Sequence, residues 1–316
     1  MNAIEVKELY KSYDGVHAVN GISFEIGYGE LFGFLGPNGA GKTTTINILC
    51  TLLKPSAGHA FIAGLDVSRE SEKIREHIGL VFQETTLDNE LTTFENLLFH
   101  AYLYGMSRYD AVRRIDELLS MIGMQNKKNE LVKHLSGGMK RRLELIRGLL
   151  HKPRVLFLDE PTIGLDPQTR ANVWAFIKEM KKIEGTTIFV TTHYIEEASD
   201  FDRIAIIDHG RIVAVGNPQK LINEMGRATV TFGATDSATV QTLLDHGMSG
   251  LGSGEYQIKT EDPDMFLKQM MNLSGLKIND FKINKPVLEE LYISLTGSEI
   301  RDEYIDRPPK VRGHNR

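Results

Sequence analysis

Two periods of apolar residues run along the chain and divide it into strands and helices. Residues 4–9 alternate and predict a strand, residues 10–15 read as a turn-like stretch, and residues 19–26 alternate again. Unbroken apolar runs at 31–35, 78–82, 155–158 and 187–190 predict strands covered on both faces, as in a parallel sheet. Helical spacing marks residues 44–53. It recurs at 91–105 through Phe94, Leu97, Leu98, Ala101 and Tyr102, and at 110–122 through Val112, Ile115, Leu118, Leu119 and Ile122. Those two helices predict a helical insert at about 84–150, whose aromatics serve either a core or a docking surface. A helix through Leu143, Leu145, Ile146 and Leu149 follows. Another starts after Pro167 with Val173, Trp174, Ile177 and Met180, and a hairpin turns at Asp208-His209-Gly210.

The pattern changes near residue 226. Strands are predicted at 228–232, 256–260 and 276–283, and helices at 237–246, 263–271 and 286–295. The expected architecture is α/β. A small antiparallel sheet comes first, then a central, mainly parallel sheet with the helical insert, all within residues 1–225. A small C-terminal α/β domain follows at 226–298. Residues 299–316 are charged, hold Pro308-Pro309 and lack an apolar period, so they are expected to be a flexible tail.

Composition narrows the function classes. A chain of 316 residues has room for one large core and a smaller one. Its net charge of -5 gives no basic signature and no support for a nucleic-acid partner. Cys50 is the sole cysteine, so there is no intramolecular disulfide and no cysteine-built metal site, a usage that suits a reducing cytosol. The first residues lack the apolar core of a signal peptide, and no stretch reaches the ~18 apolar residues of a membrane span. A soluble protein is expected, free to dock on a membrane partner.

The chemistry gathers at strand ends. Gly36-Pro37-Asn38-Gly39-Ala40-Gly41-Lys42-Thr43 fits G-x-x-x-x-G-K-[ST] between a predicted strand and a helix that opens with Thr44. Backbone N–H groups in such a turn converge on phosphate, and the helix N-terminus adds a favourable dipole. Lys42 would reach the β and γ phosphates, and the Thr43 hydroxyl would ligate magnesium. Asp159 and Glu160 end another apolar run. Two carboxylates there are costly unless used, and alternation along a strand would point them apart. Asp159 can bind magnesium, and Glu160 can polarise a water toward the γ-phosphate. Gln83 follows a third run, where it either touches magnesium or the attacking water or caps its strand. His193 follows a fourth, where it either bonds a γ-phosphate or water or is structural. Tyr13 either stacks on a base or packs at the surface. Ser136 is a good N-cap, and Gly137 and Gly138 admit close approach, either of an anion or simply of a helix start.

Together these residues resemble the nucleotide-binding subunit of an ATP-binding-cassette (ABC) transporter, over about residues 4–220. The resemblance implies a P-loop NTPase cassette that binds ATP and Mg²⁺ and hydrolyses ATP. By that likeness the segment from Gly36 to Thr43, with Thr44, binds nucleotide, and Tyr13 stacks on adenine. Gln83 senses the γ-phosphate, Leu135-Ser136-Gly137-Gly138 is the signature segment, and Asp159 with Thr43 and Gln83 serves magnesium. Glu160 is the catalytic glutamate, the loop at Asp166 crosses a dimer interface, and His193 is the switch histidine. Where the family most often has glutamine after the signature, this chain has Met139. The resemblance implies a homo- or heterodimer in which Ser136, Gly137 and Gly138 act on the opposite copy's nucleotide. It also implies a separate multi-span permease, and a place on the cytoplasmic side of the membrane, peripheral through that permease. The C-terminal region is similar to the daunorubicin-resistance branch of exporters, so drug or antibiotic-like cargo is expected. A soluble cassette of translation or DNA repair, or a subunit moving lipid, polysaccharide or ions, is the alternative.

Overall fold

The computed structural model describes residues 2–224, 228–234, 236–252, 254–273, 276–284 and 286–297. Two long antiparallel strands open the chain, β1 (Asn2–Tyr13) and β2 (Val16–Gly27). The stretch expected as a turn is mostly strand. Tyr10, Lys11, Ser12 and Tyr13 pair with Asn20, Val19, His17 and Val16, and the reversal is confined to Asp14 and Gly15, both at positive φ. Pairing supplies the backbone partners that the polar side chains there seemed to deny a strand.

β3 (Leu31–Leu35) leads through the glycine-rich loop into α1 (Lys42–Leu49). That helix is shorter than its apolar spacing suggested: Cys50 caps it and Thr51 turns left-handed at φ 62°. β4 (Ala57–Ile62) and β5 (Leu65–Asp66) complete the first sheet, ordered β2-β1-β4-β5 and antiparallel throughout. A short helix α2 (Ser71–His77) precedes β6 (Ile78–Val81). Phe82, expected inside that buried strand, lies beyond it and is 40% exposed.

The insert holds α3 (Thr93–Leu103), α4 (Arg108–Met121) and α5 (Gly137–Gly148). A capping box between Thr92 and Glu95 starts α3, and Ser107 caps α4. β7 (Val155–Asp159), α6 (Pro167–Glu184), β8 (Thr187–Thr192), α7 (Ile195–Ala198), β9 (Arg203–Asp208), β10 (Arg211–Gly216) and α8 (Pro218–Glu224) follow. The central sheet is ordered β10-β9-β3-β8-β7-β6, parallel except for the β9–β10 hairpin.

Alternation within the apolar runs decides how the layers join. Phe32, Phe34, Phe157 and Phe189 face the first sheet, where Phe189 lies 5.5–6.1 Å from Phe24, Phe32, Phe34 and Phe157. Leu31, Leu35, Leu156, Leu158, Ile188 and Val190 face the other way, against helices α3 to α6. Both faces of the central strands are thereby dry, which is why their sequences carry no polar alternation.

Beyond residue 227 come β11 (Ala228–Ala234), α9 (Ser237–Asp245), β12 (Ser249–Gly252), β13 (Glu255–Thr260), α10 (Pro263–Met271) and β14 (Ile278–Asn284). They form an antiparallel sheet, β12-β13-β11-β14, over a small core that includes Val230, Phe232, Leu243 and Met270. β12 went unread because Ser249-Gly250-Leu251-Gly252 holds one apolar side chain. The last helix, α11 (Leu288–Thr296), does not join that small core. Its Leu288, Leu291 and Tyr292 belong to the main cluster, together with Ile222 of α8. The expected boundary at 225/226 and the tail at 299–316 fall outside the described residues.

Candidate active site

Because β3, β8, β7 and β6 are parallel neighbours, their C-terminal ends lie along one edge. Leu35 pairs with Thr192, Asp159 with Thr191, and Val81 with Leu158. The residues after each end therefore converge: the loop after Leu35, Gln83, Glu160 and His193. Ligand sites in open α/β sheets form at this edge.

The loop backbone is shaped for close approach. A Cβ on Gly36 would stand 2.3 Å from the Ile207 carbonyl oxygen, and Gly41 sits at φ 103°, where a Cβ would meet the Ala18 carbonyl oxygen at 2.3 Å. Only glycine fits either place. The cavity above the loop, about 330 Å³, is lined by Asn38, Gly39, Gly41, Lys42, Thr43 and Thr44, together with Ala18, Gln83, Glu160 and Ile163. Pro37 and Ala40 stay in the loop frame, where the Ala40 N–H donates to the Pro37 carbonyl at 3.2 Å. Lys42 is 5% exposed. Its ammonium donates to the Gly36 and Pro37 carbonyls at 2.8 and 3.1 Å and pairs with Glu160 Oε1 at 3.1 Å.

The two acids are separated by a backbone turn and not by strand alternation. β7 ends at Asp159, and Glu160 adopts φ 45°, the left-handed region that costs a non-glycine residue roughly 1–3 kcal/mol. This turn carries the Glu160 carboxylate to Lys42 on one side and to His193 Nδ1, 3.3 Å from Oε2, on the other. Asp159 stays low, where its Oδ1 accepts from Thr191 Oγ1 at 2.6 Å and from Thr43 Oγ1 at 3.5 Å. Their acidities diverge accordingly. Burial raises the Asp159 pKa despite those hydroxyl bonds. Burial would raise Glu160 too, but the His193 hydrogen bond and the Lys42 charge outweigh it and hold that carboxyl below its ordinary value.

Other expected site residues lie elsewhere. Ser136 caps α5, accepting from the Met139 N–H at 3.3 Å, and neither it nor Gly137 or Gly138 lines the cavity of its own chain. Met139 packs against the main core. Asp166 caps α6 by accepting from the Thr169 N–H at 3.0 Å, and it too stands apart from the cavity. Tyr13 ends β1, with the Lys11 ammonium over its ring at 5.1 Å, outside the cavity lining. Sequence reading missed two residues that build the site. Thr191, fully buried in β8, bonds the Asp159 carboxylate and also accepts from the Glu160 N–H at 3.0 Å. Arg141, buried in α5, touches the backbone on which both acids sit. A charged residue at a core-facing position of a helical run is the signal that would have found Arg141.

Residues 19–163 match the family described as ABC transporter. The chain is 36% identical to the daunorubicin/doxorubicin resistance ATP-binding protein DrrA of Streptomyces peucetius, over 95% of this chain and 94% of that protein. It is 38% identical to the Nod factor export ATP-binding protein I of Burkholderia lata, over 95% and 98%. Among solved structures, a dimeric post-hydrolysis state of the ATP-binding cassette MJ0796 bound to ADP and Pi superposes with a TM-score of 0.61 at 30% identity, covering 68% of this chain and 98% of that one.

Proposed function

This chain belongs to the ATP-binding subunits of ABC transporters and is an ATPase of that family, and from that premise we propose how its own residues divide the work. The observation that carries the proposal is Glu160, held in a left-handed turn between Lys42 and His193 at the mouth of the loop cavity. The loop N–H groups and the start of α1 bind the phosphates, with Lys42 neutralising their charge. Glu160 stays ionised at neutral pH and accepts the hydrogen bond of the attacking water. His193 fixes its second oxygen. Gln83, at the cavity rim, faces the same space.

The donor set beside the loop fits magnesium: the Thr43 hydroxyl, the Asp159 carboxylate and the Gln83 amide oxygen are hard oxygen ligands. Bound there, magnesium would supply charge neutralisation at the phosphates. Ser136, Gly137 and Gly138, at a capped helix start away from their own cavity, suit the nucleotide of a second copy, with Asp166 beside that interface. Tyr13 is assigned to the adenine.

The subunit works with a separate membrane permease. Among the described residues no helix is long and apolar enough to cross a membrane. α3 exposes Phe99, Tyr102 and Leu103 at i, i+3 and i+4, one face of the helix. This face suits a permease segment, as does exposed Phe82 beside Gln83, and both support a position at the cytoplasmic membrane surface. The names of the relatives, one for daunorubicin/doxorubicin resistance and one for Nod factor export, support export, and the cargo assigned here is drug or antibiotic-like.

The test is Glu160→Gln. Turnover should fall by about 10²–10⁴-fold while ATP still binds and closed dimers accumulate. Turnover close to that of the parent protein would overturn the assignment.

A further inference from the structure

Every N–H of the Arg141 guanidinium has a partner. Nε donates to the Pro161 carbonyl at 2.5 Å. Nη1 donates to the Phe82 carbonyl at 2.7 Å and to Glu144 Oε2 at 3.0 Å. Nη2 donates to the Asp159 and Glu160 carbonyls at 3.5 and 3.4 Å. Five donors thus meet five acceptors, three of them successive carbonyls of the turn that carries both acids. Arg141 is 6% exposed and Glu144 1%. A buried pair of this kind is poor value as mere stabilisation, since apolar residues of like volume usually do as well.

The next turns of α5 extend the grip. Glu144 Oε1 accepts from the Thr86 N–H at 2.8 Å. Arg147 donates to the Thr86 carbonyl at 3.0 Å and to the Thr86 hydroxyl. Residues 141, 144 and 147 lie three apart and share a face. The segment after β6 is therefore pinned at Phe82 and again at Thr86, and Gln83 stands between the pins. The helix whose capped end presents Ser136, Gly137 and Gly138 is the same helix that holds the Gln83 segment and the Glu160 turn.

We propose that Arg141, Glu144 and Arg147 form a positioning triad. They set the Glu160 turn and the Gln83 segment in one rigid relation to the start of α5. A shift of α5 on docking of a second copy then moves the two reacting-side residues with it. The proposal rests on Glu160 and Gln83 acting as stated above. None of the three lines the loop cavity, so the triad governs turnover more than binding.

The test uses the full chain. Arg141→Lys keeps the charge but loses the fork that reaches four carbonyls. Arg147→Met keeps the stem and loses the Thr86 hydrogen bonds together with the charge. Turnover per folded molecule in Arg141→Lys should drop on the order of tenfold to a hundredfold, the scale of a small misplacement of reacting groups, with ATP affinity close to the parent value. Hydrogen exchange should quicken in residues 83–86 and 160–163 and stay slow in β3 and β8. Arg147→Met should quicken exchange in residues 83–86 alone and lower turnover less. If Arg141→Lys does not fold, Arg147→Met decides by itself. Parent turnover in folded variants, or loss of ATP binding in step with turnover, would overturn the triad. Glu160→Gln run alongside separates the two ideas: if it still turns over, the site reading fails, and if it is dead while both arginine variants are normal, only the triad fails.

Discussion

At the scale of single residues, burial decides which ionisable groups keep their ordinary behaviour. His100 on α3 lies near Tyr104, with ring centroids 5.2 Å apart, and Tyr104 stacks on His151 at 3.6 Å. Burial, and then the positive charges of Arg147 and His151, push the His100 pKa down from 6.5 to about 4. Burial also lowers His151. The unfolded chain therefore takes up protons between about pH 6.5 and 4 that the folded chain refuses at His100, so stability is present above that window and is lost as pH falls through it. The thermal midpoint should fall on acidification across this range, and fall less steeply in His100→Gln. Equal slopes in the two proteins would show that this histidine contributes nothing. Glu160 and Asp159 show the same physics at the site: adjacent in sequence, they are driven in opposite directions by what each meets after the chain turns.

Among the elements, α11 is the one whose sequence says least about where it goes. Its period of Leu288, Leu291 and Tyr292 predicts a helix with one apolar face, and any apolar surface would satisfy that face. The structure settles it against the main core, beside Ile222 of α8, and not against the sheet that precedes it. Tyr292 is fully buried there. Tyr292→Ala should destabilise the protein by roughly 3–5 kcal/mol, the range for large aromatic truncations. Urea unfolding followed in parallel with ATP binding is the measurement. A large loss of stability with nucleotide affinity kept is expected, and an unchanged midpoint would mean that the helix is not held by this contact. Strand lengths show the opposite limit. β1 runs through polar residues because a partner strand was available, a fact that residues 10–15 do not contain.

For the whole molecule, the arrangement of strands in the central sheet matters more than any one motif. Four parallel strand ends place the loop after β3, Gln83, Glu160 and His193 on one edge, while the starts of α5 and α6 lie outside that cavity. Our reading is that a second copy completes the site. Ser136→Arg should then abolish turnover while verified monomers still bind ATP, as measured by equilibrium titration with a fluorescent nucleotide. Loss of binding in those monomers would assign Ser136 to its own chain's site.

The sequence by itself determined the class of the chain. The glycine-rich loop, the apolar runs and the residues that end them can be read one segment at a time, because each is a local pattern with a local reason. Backbone freedom explains the glycines, and two-sided burial explains the unbroken runs. Only the tertiary structure decided how those segments meet. It separated Asp159 from Glu160 by a left-handed turn, threaded Arg141 under that turn, and sent α11 back to the main core. Each depends on partners 18 or more residues away in sequence, such as the Asp159 carbonyl for Arg141. A residue's neighbours along the chain say that it will be buried or bonded, and the packed fold chooses against what.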